Sequence, residues 1–201
     1  MNGRSWLLLL AGLCLTAGVL LLTYSFSQLL KQDRSFNKAL DTAHAIVEKQ
    51  NVLQKEQTPS QVTYQQGDII GLLQIPTLTA ELPIIEGTNE DELEKGVGHY
   101  SKTALPGQTD QILLSGHRDT VFRRIGELQK GDHLSIKMRY GEFTYEIYDF
   151  YIVDADDTSV IRSTAPNEIL TLSTCYPFSY IGNAPYRYVL SAKRIKKNQP
   201  H

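Results

Sequence analysis

Trp6 to Phe26 reads WLLLLAGLCLTAGVLLLTYSF, 21 residues without a charge, and this run constrains the chain's architecture more than any other feature. Wound as a helix at 1.5 Å per residue, it is about 31 Å long, enough to cross a hydrocarbon core of about 30 Å. Trp6 and Tyr24 stand near its two ends, where amphipathic rings favour the membrane interface. A secretory signal would have an apolar region of only about 7–15 residues followed by a small-residue cleavage site. No convincing site of that kind follows, so residues 6–26 read as an uncleaved anchor and residues 1–27 as that anchor with a short cytoplasmic tail. Counting Lys and Arg does not set the orientation, because Arg4 on one side faces Lys31, Arg34 and Lys38 on the other.

The chain of 201 residues has room for one domain of about 100–150 residues plus appendages. A formal net charge of −2 gives no electrostatic case for nucleic acid. Cys14 lies inside the apolar run and Cys175 is the other cysteine, so the chain carries no disulfide signature. Eleven tyrosines and many β-branched residues after residue 68 favour a mainly β fold.

Between anchor and domain, residues 28–67 form a stalk or linker. Phe36, Leu40, Ala43 and Val47 recur at helical spacing and end before Pro59, which fits a helical stalk, with a partly disordered tether as the alternative. His44 in this segment has no second ligand at useful spacing and reads as a solvated residue. From residue 68 to 201 the texture changes to about eight short strands: 69–75, 82–86, 97–100, 111–116, 133–139, 142–153, 168–174 and 186–194. Leu134, Ile136 and Met138 alternate with Ser135, Lys137 and Arg139, so one face is buried and the other wet. Tyr140-Gly141 reverses the chain, and Asn89 to Lys95 gives a turn or two of helix capped by Asn89 or Thr88. Strands at this spacing suggest one closed or nearly closed barrel.

Cys175 ends a strand in which Ile169, Thr171, Ser173 and Cys175 share one face and Leu170, Leu172 and Thr174 the other. Pro177 cannot donate to a ladder and stops that strand. A thiol at a strand terminus is placed for nucleophilic chemistry, although a free cysteine can equally be a small buried hydrophobe. His117 also follows a strand end, behind Gly116, and His99 follows Gly98 in the same manner. His133 and His201 are weaker candidates. Arg187 lies twelve positions after Cys175. If the flanking strands run antiparallel, Arg187 shares the rim of the thiol, where a guanidinium favours thiolate and can donate to an oxyanion. Arg118, Arg123 and Arg124 could serve similarly. No His or Cys pair has zinc spacing, and the acidic groups 90–92 and 154–157 read more readily as solvated loops than as calcium loops. No cofactor is implied.

Leu114-Ser115-Gly116-His117-Arg118-Asp119-Thr120, then Thr171-Leu172-Ser173-Thr174-Cys175-Tyr176-Pro177-Phe178, then Asn183-Ala184-Pro185-Tyr186-Arg187-Tyr188 resemble the sortases, membrane-anchored cysteine transpeptidases of Gram-positive bacteria. The likeness covers roughly residues 68–195 and is strongest to class D, with Tyr-Pro-Phe after the cysteine and His-Arg-Asp-Thr around the histidine. An Asp-Pro-Trp lid, common in pilus-polymerising class C enzymes, does not occur, since the only tryptophan is Trp6. The resemblance implies Cys175 as nucleophile, His117 as general acid/base, Arg187 as stabiliser of substrate and oxyanion, and Ser115 and Thr174 as groove-lining residues. It also implies an eight-stranded closed β-barrel with short helices, in which the strands before His117 and Cys175 are parallel neighbours. Expected substrates are surface proteins with a Leu-Pro-x-Thr-(Gly/Ala) sorting signal, and the expected acceptor is a peptidoglycan precursor amine. The expected location is the cell membrane, single-pass, with an extracellular catalytic domain. The competing expectations are a membrane-anchored surface thiol peptidase and a non-enzymatic wall-binding module.

Overall fold

The computed structural model describes residues 3–50, 62–180 and 182–195. Residues 51–61 of the expected linker, with Pro59, and residues 196–201, with His201, lie outside the described residues. Helix α1 (Gly3–Gln50) is followed by β1 (Ile69–Ile75), β2 (Ala80–Glu86), the short α2 (Glu90–Leu93), β3 (Val97–His99) and β4 (Gln111–Ser115). Then come β5 (His133–Met138), β6 (Gly141–Asp154), β7 (Ile169–Tyr176) and β8 (Tyr186–Ile195). The strands close into a barrel in the order β1-β2-β3-β4-β7-β8-β6-β5, the eight-stranded closed barrel expected from the sequence.

Alternation builds the barrel's interior. Ile112 and Leu114 of β4, Leu134 and Ile136 of β5, Leu170 and Leu172 of β7, and Leu190 and Ala192 of β8 all point into one buried cluster. Burying each of the larger side chains contributes roughly 1.5–3 kcal/mol, which fixes every strand's register, since a slip by one residue would turn these groups outward. Two pairings are parallel, β2 with β3 and β4 with β7, and the others are antiparallel. Parallel neighbours need a long crossover, and the chain between β4 and β7 includes β5 and β6.

Helix α1 is long and apolar enough to cross a membrane, and Trp6, Leu15, Leu22 and Phe26 are exposed along it. Its later turns dock on the barrel against β1, β2 and β5. Ala39 and Ala43 are buried there, Phe36 packs against the core, and Leu40 and Val47 are half-buried. His44, expected to be merely solvated, is half-exposed but sets its Nε2 3.1 Å from Glu81 Oε2. A cavity of ≈ 480 Å³ remains between helix and barrel, with Leu29 and Phe36 on one wall and Leu78, Leu82, Val121 and Arg124 on the other. Leu29 and Phe36 are only about 5–15 Å past Phe26 along the helix axis.

His99, the sequence rival of His117, is inside the fold and 2% exposed. Its Nδ1 lies 2.7 Å from Glu86 Oε2 and its Nε2 3.0 Å from Ala104 O, a buried histidine–carboxylate pair joining β2 to β3. Burial pushes the Glu86 carboxyl up, but the hydrogen bond and charge of His99, with a hydrogen bond from Ser101, outweigh it. The balance holds Glu86 below its ordinary value of 4.5. A lowered carboxylate pKa adds stability above the ordinary carboxylate range, and that stability is lost as pH falls through the lowered value. Glu86→Gln should therefore unfold about 2 kcal/mol more easily than wild type at neutral pH. The deficit should shrink on acidification below 4.5; urea titrations across that range showing a constant deficit would contradict it.

Candidate active site

Two registers assemble the rim. β4 and β7 run in parallel with Ser115 opposite Ser173, and the pairing continues as Gly116 N–H donates to Ser173 O at 3.2 Å. One step further, His117 and Cys175 leave the same end of adjacent strands. On the other side of β7, the antiparallel partner of Cys175 is Arg187 itself. Leu172 and Leu190 point into the core, so strand alternation puts Cys175 and Arg187 on the outer face of the barrel. Cys175 is a free, half-buried thiol. The groove of ≈ 460 Å³ that it faces is lined by His117, Arg118, Cys175, Asn183, Ala184 and Arg187, among others.

His117 is 27% exposed, with its Nε2 3.5 Å from Glu90 Oε1. Glu90 opens α2, a helix fixed by the acceptance of Asn89 N–H at Glu92 Oε2, 2.9 Å away. Glu92 is thus a buried cap, and Asp157 similarly accepts from Ser159 N–H at 2.8 Å to start the turn 158–160. These two members of the acidic groups are committed to backbone. Arg187 Nη1 donates to Tyr186 O at 3.1 Å and to Ala184 O at 3.4 Å, which fixes the guanidinium against the groove wall. The other arginines now separate. Arg118 lines the groove and donates from Nη2 to Tyr180 O at 2.6 Å and Gly182 O at 2.8 Å. Arg123 turns back to Asp119 O, and Arg124 pairs with Glu127 and faces the cavity beside α1.

The structure places Ser115 and Thr174 differently from the groove-lining position expected. Ser115 sits on the outer face, half-buried between Gly98 and Ser173, and is not among the residues lining the groove. Thr174 points inward, is 3% exposed, and donates its hydroxyl to Gly116 O at 2.7 Å. There it ties the strand end that carries Cys175 to the turn that carries His117. Gly116 is required at that turn, because a Cβ would lie 2.7 Å from the side chains of both Phe122 and Val121. Arg118 was an alternative to Arg187 in the sequence, but its carbonyl partners on the β7–β8 connection, like the approach of Glu90 to His117, had no local signal because they lie far along the chain. The pattern that could have found Thr174 is its inward parity beside Leu172.

A closed β-barrel that presents a free thiol, an imidazole and a guanidinium in one groove has the form of a cysteine-nucleophile fold. Residues 73–195 match the Sortase domain, and the chain belongs to the sortase family. It is 60% identical to Sortase D of Bacillus subtilis (strain 168) over 129 residues, 64% of this chain and 65% of that protein. The match thus spans less than two thirds of that relative's length. The class D likeness seen in Tyr176-Pro177-Phe178 is borne out by this identity. Among solved structures, a Clostridium perfringens Sortase D5 transpeptidase is similar with a TM-score of 0.68 at 27% identity, over 81% of this chain and 99% of that one. Clostridium perfringens sortase C, solved with the C-terminal cell wall sorting motif, gives a TM-score of 0.62 at 25% identity, over 83% and 90%.

Thr174→Val keeps the volume but leaves the Gly116 carbonyl buried without its donor, which should cost roughly 1–3 kcal/mol in thermal or urea unfolding. Thr174→Ser should recover most of that loss. Equal stability of the valine and serine variants would show that the hydroxyl does not hold the rim.

Proposed function

We propose that the chain is a membrane-tethered cysteine transpeptidase that takes a Leu-Pro-x-Thr-type sorting signal. The observation that carries this reading is the register that sets Cys175 directly opposite Arg187 and brings His117 into the same groove. Family membership supports it, as does the similarity to a sortase C solved with a cell wall sorting motif.

Cys175 thiolate attacks the carbonyl carbon of the signal's Thr, forming the C–S bond and pushing the carbonyl electrons onto oxygen. Arg187 is placed to donate to that oxyanion, where a preorganised donor acts on charge as it develops. As the tetrahedral adduct collapses, the C–N bond breaks and His117, as imidazolium, gives its proton to the departing amine. The product is a thioester on Cys175. An incoming amine, that of a peptidoglycan precursor, attacks the thioester carbon and loses a proton to His117, and the thiolate leaves. The enzyme returns to its starting state.

Residues 1–27 serve as the anchor of a single-pass protein of the cell membrane, with the barrel outside. The docking of α1 on the barrel supports a fixed geometry, because the segment after His117 shares a cavity with Leu29 and Phe36 just beyond the apolar run. The groove is thereby held near the surface in which the anchor sits, within reach of a membrane-bound acceptor.

Mixing the protein with a Leu-Pro-x-Thr-Gly or Leu-Pro-x-Thr-Ala peptide and an amine nucleophile should give ligated product faster than hydrolysed product. Product released only to water would instead identify a thiol peptidase. Arg187→Lys keeps the charge but loses the planar fork, so turnover should fall by more than about tenfold. Turnover near that of wild type would remove Arg187 from the oxyanion role.

A further inference from the structure

The wall of the groove opposite His117 comes from the connection between β7 and β8, through Gly182, Asn183 and Ala184. Its two flanks are well seated. Phe178 packs against the rings of Tyr176 and Tyr188 at 5.5 and 5.3 Å, and Ala184 is buried. Between them Tyr180 is 47% exposed and Gly182 takes a φ of +93°. One side chain from elsewhere in the chain reaches this stretch with two hydrogen bonds. Arg118 Nη2 donates to Tyr180 O at 2.6 Å and to Gly182 O at 2.8 Å, and the guanidinium carbon lies 6.0 Å from the Tyr180 ring centroid. Its Nη1 is removed from solvent and has no acceptor.

We propose that Arg118 is a positioning residue that sets the width of the substrate groove, by holding the wall at Tyr180 and Gly182 against the segment that carries His117. The inference rests on the transpeptidase reading for its substrate. Arg118 is the residue next to His117, so the same short segment presents the imidazole and grips the facing wall. Both acceptors are backbone carbonyls, and the two N–H groups of the one nitrogen Nη2 meet them without depending on the side chains nearby. Lysine keeps the charge, but its shorter side chain and rotating tetrahedral ammonium do not hold two N–H groups where the planar guanidinium fixes those of Nη2.

The wall must be ordered before a peptide binds, so losing the grip weakens binding more than it slows chemistry. In the full chain, Arg118→Lys should raise the KM for a sorting-signal peptide about tenfold and leave kcat within about threefold. Amide exchange at Tyr180 and Gly182 should accelerate about tenfold while exchange in the core strands is unchanged. In Arg118→Ala, added methylguanidinium should lower KM toward the wild-type value. An unchanged KM would overturn the inference, as would a fall in kcat alone, which would make Arg118 catalytic. Unchanged exchange at Tyr180 and Gly182 would overturn it independently of any activity. A wild-type protein that joins no peptide would count against the transpeptidase reading, and the exchange measurement would still decide whether Arg118 holds the wall.

Discussion

β7 is hydrogen-bonded on both sides, to β4 running with it and to β8 running against it, and the groove follows from these two registers. The parallel side brings the ends of β4 and β7 out together, which is how His117 and Cys175 become neighbours although they are distant in sequence. The antiparallel side returns the chain beside itself, which is how Arg187 comes to face Cys175. A register is a collective property: shifting β7 by one residue would move Leu170 and Leu172 out of the core and Cys175 into it. The burial of those leucines therefore holds the site geometry more firmly than any contact within the site.

The rim is then secured by polar contacts behind it. The Thr174 hydroxyl on Gly116 O closes the gap between the two strand ends from the inside. On the outer face Gln111 donates to Thr171 Oγ1 at 3.1 Å and to Val160 O at 2.8 Å, tying β4 to β7 and to the segment after β6. Next to Gln111, at the end of β4 away from the rim, the Asp110 carboxylate accepts from the backbone N–H of Thr164 and Gln111 and from the Ser163 hydroxyl. These bonds, against a small opposing effect of burial, hold its carboxyl below the ordinary value. Polar groups that would be costly if buried alone are used here to join elements, so the chemistry sits on a rigid floor. On the other side, α1 docks through Ala39, Ala43 and the His44–Glu81 contact, which couples the barrel to the apolar helix without a flexible joint between residues 26 and 50.

Much of this was legible in the sequence because the signals were local. Strand β1 has the expected ends, the other seven differ by one or two residues at either end, and Cys175 and Arg187 pair because the chain between them is short enough to turn back. The parallel β4–β7 pairing was not local. Periodicity cannot say which strands are neighbours across β5 and β6, and only the family resemblance supplied that order. His99 and His117 both follow a glycine at a strand end, so local pattern did not separate them; the family resemblance chose His117, and packing puts His99 inside the fold, where Glu86 reaches it from the adjacent parallel strand. Thr174 was expected on the groove from its place in the motif, while its inward parity buries it. The face of α1 that docks was partly legible, since Phe36 and Ala43 belong to the apolar stripe, but Ala39 rather than Leu40 is the buried residue between them.

In the proposed reaction the groove performs acyl transfer through a thioester on Cys175. Intact-mass analysis of the protein rapidly mixed with a sorting-signal peptide tests it most directly. The account predicts a mass increase equal to the peptide fragment up to and including Thr, present on wild type and absent from Cys175→Ala. No adduct on wild type, or one that survives the loss of Cys175, would contradict it.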